Sequence, residues 1–535
     1  MEKGTFLSKC WVGLIGAAIV VLPTTFAESG AAREAPRVTV ACGMLKGIHE
    51  GSIFVYKGIP YAKPPVGELR FAPPEDAEPW SGELDCDKFG FQCFQHPAVA
   101  GSEPFSEDCL KLNVWTPAKP GEAAGLPVYV FIHGGGFSSG SGSSPMYDGT
   151  SFAKKGVVAV TVNYRLGALG FFASRETLKR YGTTGNWGLL DQIKALEWVR
   201  DNIAAFGGDR GKVTIGGESA GSFSVSALAT SPLANGLFRG VIMESGSVLS
   251  LPELSYHARG DLEKSIRASR VLADIFEADD SADGLAKMRR ADPEVLAYLG
   301  FFAADQTATP FFLTPAFDGK VLPKSRPDAA SAGKLAGVNF LLGFNNDEGS
   351  LFIPGNADDG GCKALVARVF GGQKALQVFD RLKVDARNTR LQRTRQAAAY
   401  GIFSAGMKRF ADIAADAGSN VYMYKFKYVS PGNKKSGLGA AHASELPFVF
   451  NNLATMGLSG PEAEELAGET HRRWVNFIKT GDPNLGEATP SGVTWPKYDS
   501  RETNVLYLDK KIVSGALEDK ENIDFMADLA FGAEN

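Results

Sequence analysis

Short continuous apolar runs alternate along this chain with stretches whose apolar residues recur every three or four positions, predicting strands and helices in turn. Leu126–Ile132, Val157–Val162 and Lys212–Gly216 read as buried strands. Between the last two, Leu189–Ala205 spaces Leu190, Ile193, Leu196, Trp198, Val199 and Ile203 as a helix does. A further strand is predicted over Gly337–Gly343 and a helix over Ser222–Thr230. Strands that are apolar throughout must be covered on both faces. The alternation therefore predicts an α/β fold with a large central, mostly parallel sheet flanked by helices. From about Ser265 to Asp412 the pattern is mostly helical, including Ser265–Phe276 and Gln392–Asp412, and no Pro/Gly/Ser-rich linker isolates it. These helices read as insertions forming a lid or pocket wall. The chain has no internal repeats, which excludes a solenoid.

The amino terminus follows another pattern. Lys3 and Lys9 precede an apolar run from Cys10 to Leu22, and Thr25-Phe26-Ala27 supplies small residues at its exit. Residues 1–27 read as a signal peptide and 28–535 as one domain. The run is about 13 residues, short of the roughly 20 a membrane-spanning helix needs. Cys10 stands at the start of the run rather than at the cleavage point, which argues against lipid attachment. A secreted or periplasmic protein with no stable membrane anchor is expected.

Composition narrows the class further. With 44% apolar residues, 22% charged and a net charge of −4, the chain is ordinary for a globular protein. It lacks the basic footprint of a nucleic-acid binder. Loss of Cys10 leaves Cys42, Cys86, Cys93, Cys109 and Cys362, an odd and sparse set, so at least one thiol should stay unpaired. No asparagine sits in an N-x-Ser/Thr acceptor pattern, which leans towards a bacterial source.

The chemistry collects at strand ends. Gly217-Glu-Ser-Ala-Gly221 follows the strand ending near Gly216 and opens a helical stretch. Flanking glycines allow a sharp strand-to-helix turn that exposes the Ser219 hydroxyl as a nucleophile. His133-Gly-Gly-Gly-Phe137 follows the strand ending at Ile132. A triple glycine lets backbone N–H groups approach a substrate oxygen, so Gly135, Gly136 and Ala220 are read as oxyanion-hole donors. A serine hydroxyl needs a base. For this architecture the order along the chain is serine, acid, histidine. His49, His96 and His133 precede Ser219, and His257 leaves little room for an intervening acid strand. His471 sits in a helical pattern that suits a surface or packing role, whereas His442 lies among small residues in Gly439–Ser444. His442 is the expected base. Asp347-Glu-Gly349 follows the strand ending at Gly343, and either carboxylate could orient the imidazole. No metal-ligand cluster, P-loop or dinucleotide fingerprint is present, and no cofactor or metal is expected.

These motifs, with others in order, resemble the type-B carboxylesterases, an α/β-hydrolase group that includes bacterial para-nitrobenzyl-type esterases and the cholinesterases. The resemblance is carried by Tyr56–Ala62, Pro64–Gly67, Leu69–Phe71, Ser106–Leu110, Leu112–Val114 and His133–Phe137. It continues through Asn163–Arg165, Gly185-Asn186, Asp191-Gln192, Phe206–Asp209 and the serine turn. Asp347–Gly349, Glu445–Phe448 after His442, and Trp474 through Thr480–Asn484 complete it. The resemblance implies an α/β-hydrolase fold, a small-molecule ester substrate, Glu348 as the acid and a Cys93–Cys109 disulfide. It leaves the partners of Cys42, Cys86 and Cys362, the physiological ester and the oligomeric state open. In cholinesterases a tryptophan between the two cysteines holds the choline cation; Phe94–Asp108 contains none. A neutral ester is therefore expected, bound next to Phe137 with Phe311 and Phe312 as candidate walls. Rival readings are a specialised hydrolase of a polyester, toxin ester or lactone, and a non-catalytic binding ectodomain.

Overall fold

A computed structural model describes residues 34–95, 103–250, 260–302, 304–305, 309–310, 313–325, 328–329, 335–353, 355–356, 377–378, 381–382 and 389–531. The predicted leader, His96, His257, Phe311, Phe312 and Cys362 lie outside them. The centre is an 11-stranded sheet. Its strands in chain order are β1 Ile48–Glu50, β2 Ile53–Pro60, β3 Lys111–Thr116, β4 Leu126–Ile132, β5 Val158–Val162 and β6 Gly208–Glu218. β7 Gly240–Glu244, β8 Asn339–Asn345, β9 Val421–Phe426, β10 Asn504–Leu508 and β11 Val513–Ala516 follow. Across the sheet they run β11-β10-β9-β8-β7-β6-β4-β5-β3-β2-β1. Neighbours from β5 to β10 pair in parallel, while β1, β2, β3 and β11 add antiparallel margins.

The strands form where the apolar runs predict them because alternate residues feed two cores. In β4, Val128, Val130 and Ile132 point into one apolar layer and Tyr129 and Phe131 into the other. β8 does the same with Phe340 and Leu342 against Leu341. Each layer is covered by helices. Trp187–Asn202, continued by a tight turn over Ile203–Phe206, fulfils the Leu189–Ala205 pattern. β6 is longer than Lys212–Gly216 and ends at Glu218, so the strand runs right up to the serine.

The inserted helices are also present, as Leu262–Ile275, Ala282–Arg290, Pro293–Phe302 and Arg390–Asp416. The last is not uniform. Arg390–Ala399 and Ala405–Asp416 are α-helical, but Tyr400–Ser404 forms a π-helical turn that the spacing does not predict.

Several motif residues serve the fold rather than the chemistry. Arg165 grips Asp191 at 2.8 and 2.7 Å, and Arg70 grips Glu107 at 2.7 and 2.5 Å. Two-point pairing satisfies charges that burial would otherwise leave costly. Cys93 and Cys109 are joined by a disulfide with both sulfurs buried, and Cys42 and Cys86 are free thiols. Non-reducing peptide mapping should recover the Cys93–Cys109 link. Closing a loop of this length contributes roughly 3 kcal/mol in the chain-entropy picture, so the unfolding free energy of Cys93→Ala/Cys109→Ala, read from its denaturant transition, should be lower by about that amount. A double variant as stable as the parent would show the bridge to be dispensable.

Candidate active site

Four adjacent parallel strands, β4, β6, β7 and β8, end on one edge of the sheet, and each delivers part of one constellation. Carboxyl ends of strands are where α/β sheets gather reacting groups. β6 passes through Glu218 into Ser219, and the helix Ala220–Thr230 starts at the next residue. Ser219 takes φ 56° and ψ −121°, a backbone region that non-glycine residues occupy only when their surroundings force it. Here the forcing is visible. The Ser219 N–H donates to Glu244 O at 2.9 Å at the end of β7, and its carbonyl accepts from Phe223 N at 2.9 Å. A side chain at Gly221 would sit 2.0 Å from Ile132 O, so only glycine lets the helix close against β4.

The glycine loop after β4 lies against this turn: a Cβ at Gly134 would meet Glu218 O at 2.7 Å and the Ser219 Cβ at 3.1 Å. Gly135 has φ 104° and its carbonyl turns inward to accept from Ser138 N and Ser139 N at 3.1 and 3.0 Å. That leaves the N–H groups of Gly135, Gly136 and Ala220 without an acceptor among the described residues. His133 fixes the loop from behind, with Nδ1 2.8 Å from Gly134 O and its ring stacked on Tyr164 at 4.5 Å. Burial pushes its pKa down to about 4, so it is neutral.

Beyond β8, Glu348 is fully buried and accepts three hydrogen bonds: from His442 Nδ1 at 2.5 Å, Ser245 Oγ at 2.5 Å and Asn345 N at 2.6 Å. Asp347 faces the other way and accepts from Ala440 N at 2.8 Å. Of the two carboxylates left open by the sequence, Glu348 is the one that meets the imidazole. With Nδ1–H on Glu348, Nε2 carries the lone pair. Nε2 lies 3.1 Å from Glu218 Oε1 but out of hydrogen-bond alignment, and no described residue bonds to it. Burial opposes charging of His442, but the Glu218 and Glu348 carboxylates outweigh it, helped by the Glu348 hydrogen bond and by Glu445. The imidazole is thus more basic than usual. Burial raises the Glu218 carboxyl, and Glu348 raises it further against the opposing pull of His442. His471 stays away from this edge, packed on Phe152 at 4.6 Å with Nδ1 against Val449 O, in the packing role its helix suggests.

Sequence reasoning missed Ser245, Glu218, Phe352 and Phe403. Ser245 had a usable signal, since Ser245-Gly246 follows a strand as Ser219 does. Phe352 and Phe403 pack their rings on His442 at 5.2 and 4.6 Å and had none. Phe137 is buried against Phe171, next to the glycine loop. Among the described residues no cluster of His, Cys, Asp and Glu could hold a metal ion.

The geometry can be set beside known proteins. A profile of the carboxylesterase family matches residues 34–526. The chain is 36% identical over 499 residues to a para-nitrobenzyl esterase of Bacillus subtilis (strain 168), covering 89% of this chain and 95% of that protein. It is 33% identical to a fumonisin B1 esterase of Sphingopyxis macrogoltabida over 88% of this chain and 86% of that one. A solved structure titled PNB esterase superposes with a TM-score of 0.79 at 34% identity, over 92% of this chain and 100% of the other.

Proposed function

The chain belongs to the carboxylesterase family, and on that premise we propose that its ester hydrolysis runs through an acyl-enzyme on Ser219. It is a serine carboxylesterase of the α/β-hydrolase fold, acting on small-molecule esters. Ser219 Oγ attacks the ester carbonyl while His442 Nε2 takes its proton. Glu348 holds the imidazolium through Nδ1–H, and the N–H groups of Gly135, Gly136 and Ala220 receive the tetrahedral oxyanion. The proton then passes to the leaving alcohol, and water, deprotonated by His442, releases the acid. The observation that carries this reading is the 2.5 Å His442–Glu348 hydrogen bond, formed from a separate loop beside a strained serine.

Residues 28–535 act as one domain with helical insertions, a reading supported by the unbroken family match. Export behind a signal peptide at 1–27 is supported by the Cys93–Cys109 disulfide, which persists in oxidising compartments. No described helix is long and apolar enough to cross a membrane.

The substrate is a neutral ester of short to medium acyl chain. Apolar walls such as Phe137 reward acyl burial at about 0.8 kcal/mol per methylene until the pocket fills. No tryptophan is present between Cys93 and Cys109 to hold a cation, and Phe94 and Phe105 of that loop pack on each other at 6.2 Å. The kcat/KM for butyrylcholine should therefore not exceed that for its neutral isostere 3,3-dimethylbutyl butyrate. A strong choline preference would overturn the neutral-substrate assignment. Para-nitrophenyl acetate to hexanoate should be good substrates. The likeness to a fumonisin B1 esterase keeps a toxin ester as a second reading; activity confined to such an ester in the same panel would establish it.

A further inference from the structure

The π-helical turn at Tyr400–Ser404 interrupts a helix that carries no proline there, and such turns cluster at functional sites. Its signature is the Ala405 N–H donating to Tyr400 O, five residues back. The extra residue in the turn rotates the remainder of the helix by roughly 100° relative to a continuous α-helix. The face that results carries Phe403, 2% exposed, onto His442: ring centroids are 4.6 Å apart and the planes 30° from parallel. Phe352 touches both rings, at 5.2 Å from His442 and 5.6 Å from Phe403. The same turn packs against the carboxyl-terminal helix Lys520–Phe531, with Tyr400 near the charge of Asp519 just ahead of that helix. Asp519 is held in turn by Lys425 Nζ at 3.1 Å, on β9.

We propose that Phe403 is a positioning residue for His442, seated by the π-helical turn that packs against the carboxyl-terminal helix. This rests on His442 being the base. Glu348 holds the imidazole edge at Nδ1, while Glu218 stands 3.1 Å from Nε2 out of hydrogen-bond alignment and Glu445 acts on the ring only through its charge. One hydrogen bond at the ring edge does not resist rotation about the Nδ1–Glu348 axis. A ring lying nearly parallel to the imidazole resists that rotation. It also offers its negative face to the imidazolium formed during each turnover, an attraction that strengthens where water is excluded.

Phe403→Leu keeps most of the apolar volume and removes the ring face, while all three carboxylates remain. We expect kcat to fall about tenfold with KM within about twofold, as for an interaction made in the transition state. Because the cation loses a stabilising partner, the acid limb of the kcat–pH profile should move to lower pH by about half a unit or more. Phe403→Met, which keeps a long apolar side chain but no ring face, should lower kcat in the same direction. Melting temperatures of both variants report any general loss of packing. An unchanged kcat and acid limb in Phe403→Leu would overturn the proposal, however far the melting temperature fell. Should Phe403→Leu fail to fold, Phe403→Met decides in its place, and a parental kcat and acid limb there overturn the proposal. Substantial activity in His442→Ala would instead remove the base assignment, so the two failures are told apart.

Discussion

Ser219→Ala and His442→Ala should each lower kcat by a factor on the order of 10⁴–10⁶, and the double variant should lose little more. The expectation comes from the geometry. Nε2 of His442 forms no hydrogen bond with a described residue, so in the proposed mechanism its lone pair is open to the serine and neither group works without the other. What survives in every variant is the glycine loop, whose N–H groups still polarise a bound carbonyl and retain a residual rate. Neither change should unfold the protein. Ser219 is only half-buried, and when His442 is removed Glu348 keeps the Ser245 and Asn345 donors. The measurement is kcat on a para-nitrophenyl ester for both single variants and the double, with labelling by a serine-directed phosphonate as a second readout. Losses that multiply in the double variant would mean that the two side chains act independently.

The elements that place this site were legible where periodicity is strong. β4 and β8 announce themselves because alternate residues must enter two apolar layers, which leaves long runs of Val, Ile, Leu and Phe. The serine turn and glycine loop were legible because close backbone approach admits few residue types, as Gly221 against Ile132 O illustrates. The π-helical turn was not. It alters the helix by one residue, and the apolar spacing of Gln392–Asp412 tolerates that shift without a visible break. Nor could spacing choose between Asp347 and Glu348. Neighbouring residues point in different directions, and which of them faces His442 depends on a loop about ninety residues further along the chain. In the sequence, Glu348 is singled out only by the resemblance to type-B carboxylesterases.

Exchanging those two carboxylates provides the other large effect. Glu348→Gln should lower kcat by about 10³–10⁴ through a misdirected imidazole. The Glu348 carboxylate accepts from three donors at once: His442 Nδ1–H, Ser245 O–H and the Asn345 N–H. A glutamine offers one acceptor oxygen and an NH₂ that only donates. If its oxygen turns to His442, the NH₂ faces the Asn345 N–H, which cannot reverse. If it turns to Asn345, the NH₂ faces Nδ1 and draws the proton to Nε2, where the base must be empty. Either way a buried donor is left opposed, at a cost of about 1–3 kcal/mol in stability besides the lost rate. Asp347→Asn makes the contrast. Among the described residues the Asp347 carboxylate accepts from Ala440 N alone, and an asparagine oxygen can do the same, so kcat should stay within about tenfold of the parent while the Gly439–His442 segment keeps its place. Comparing kcat and melting temperature for the two variants tests the assignment. A severe loss in Asp347→Asn with a mild one in Glu348→Gln would transfer the acid's role to Asp347.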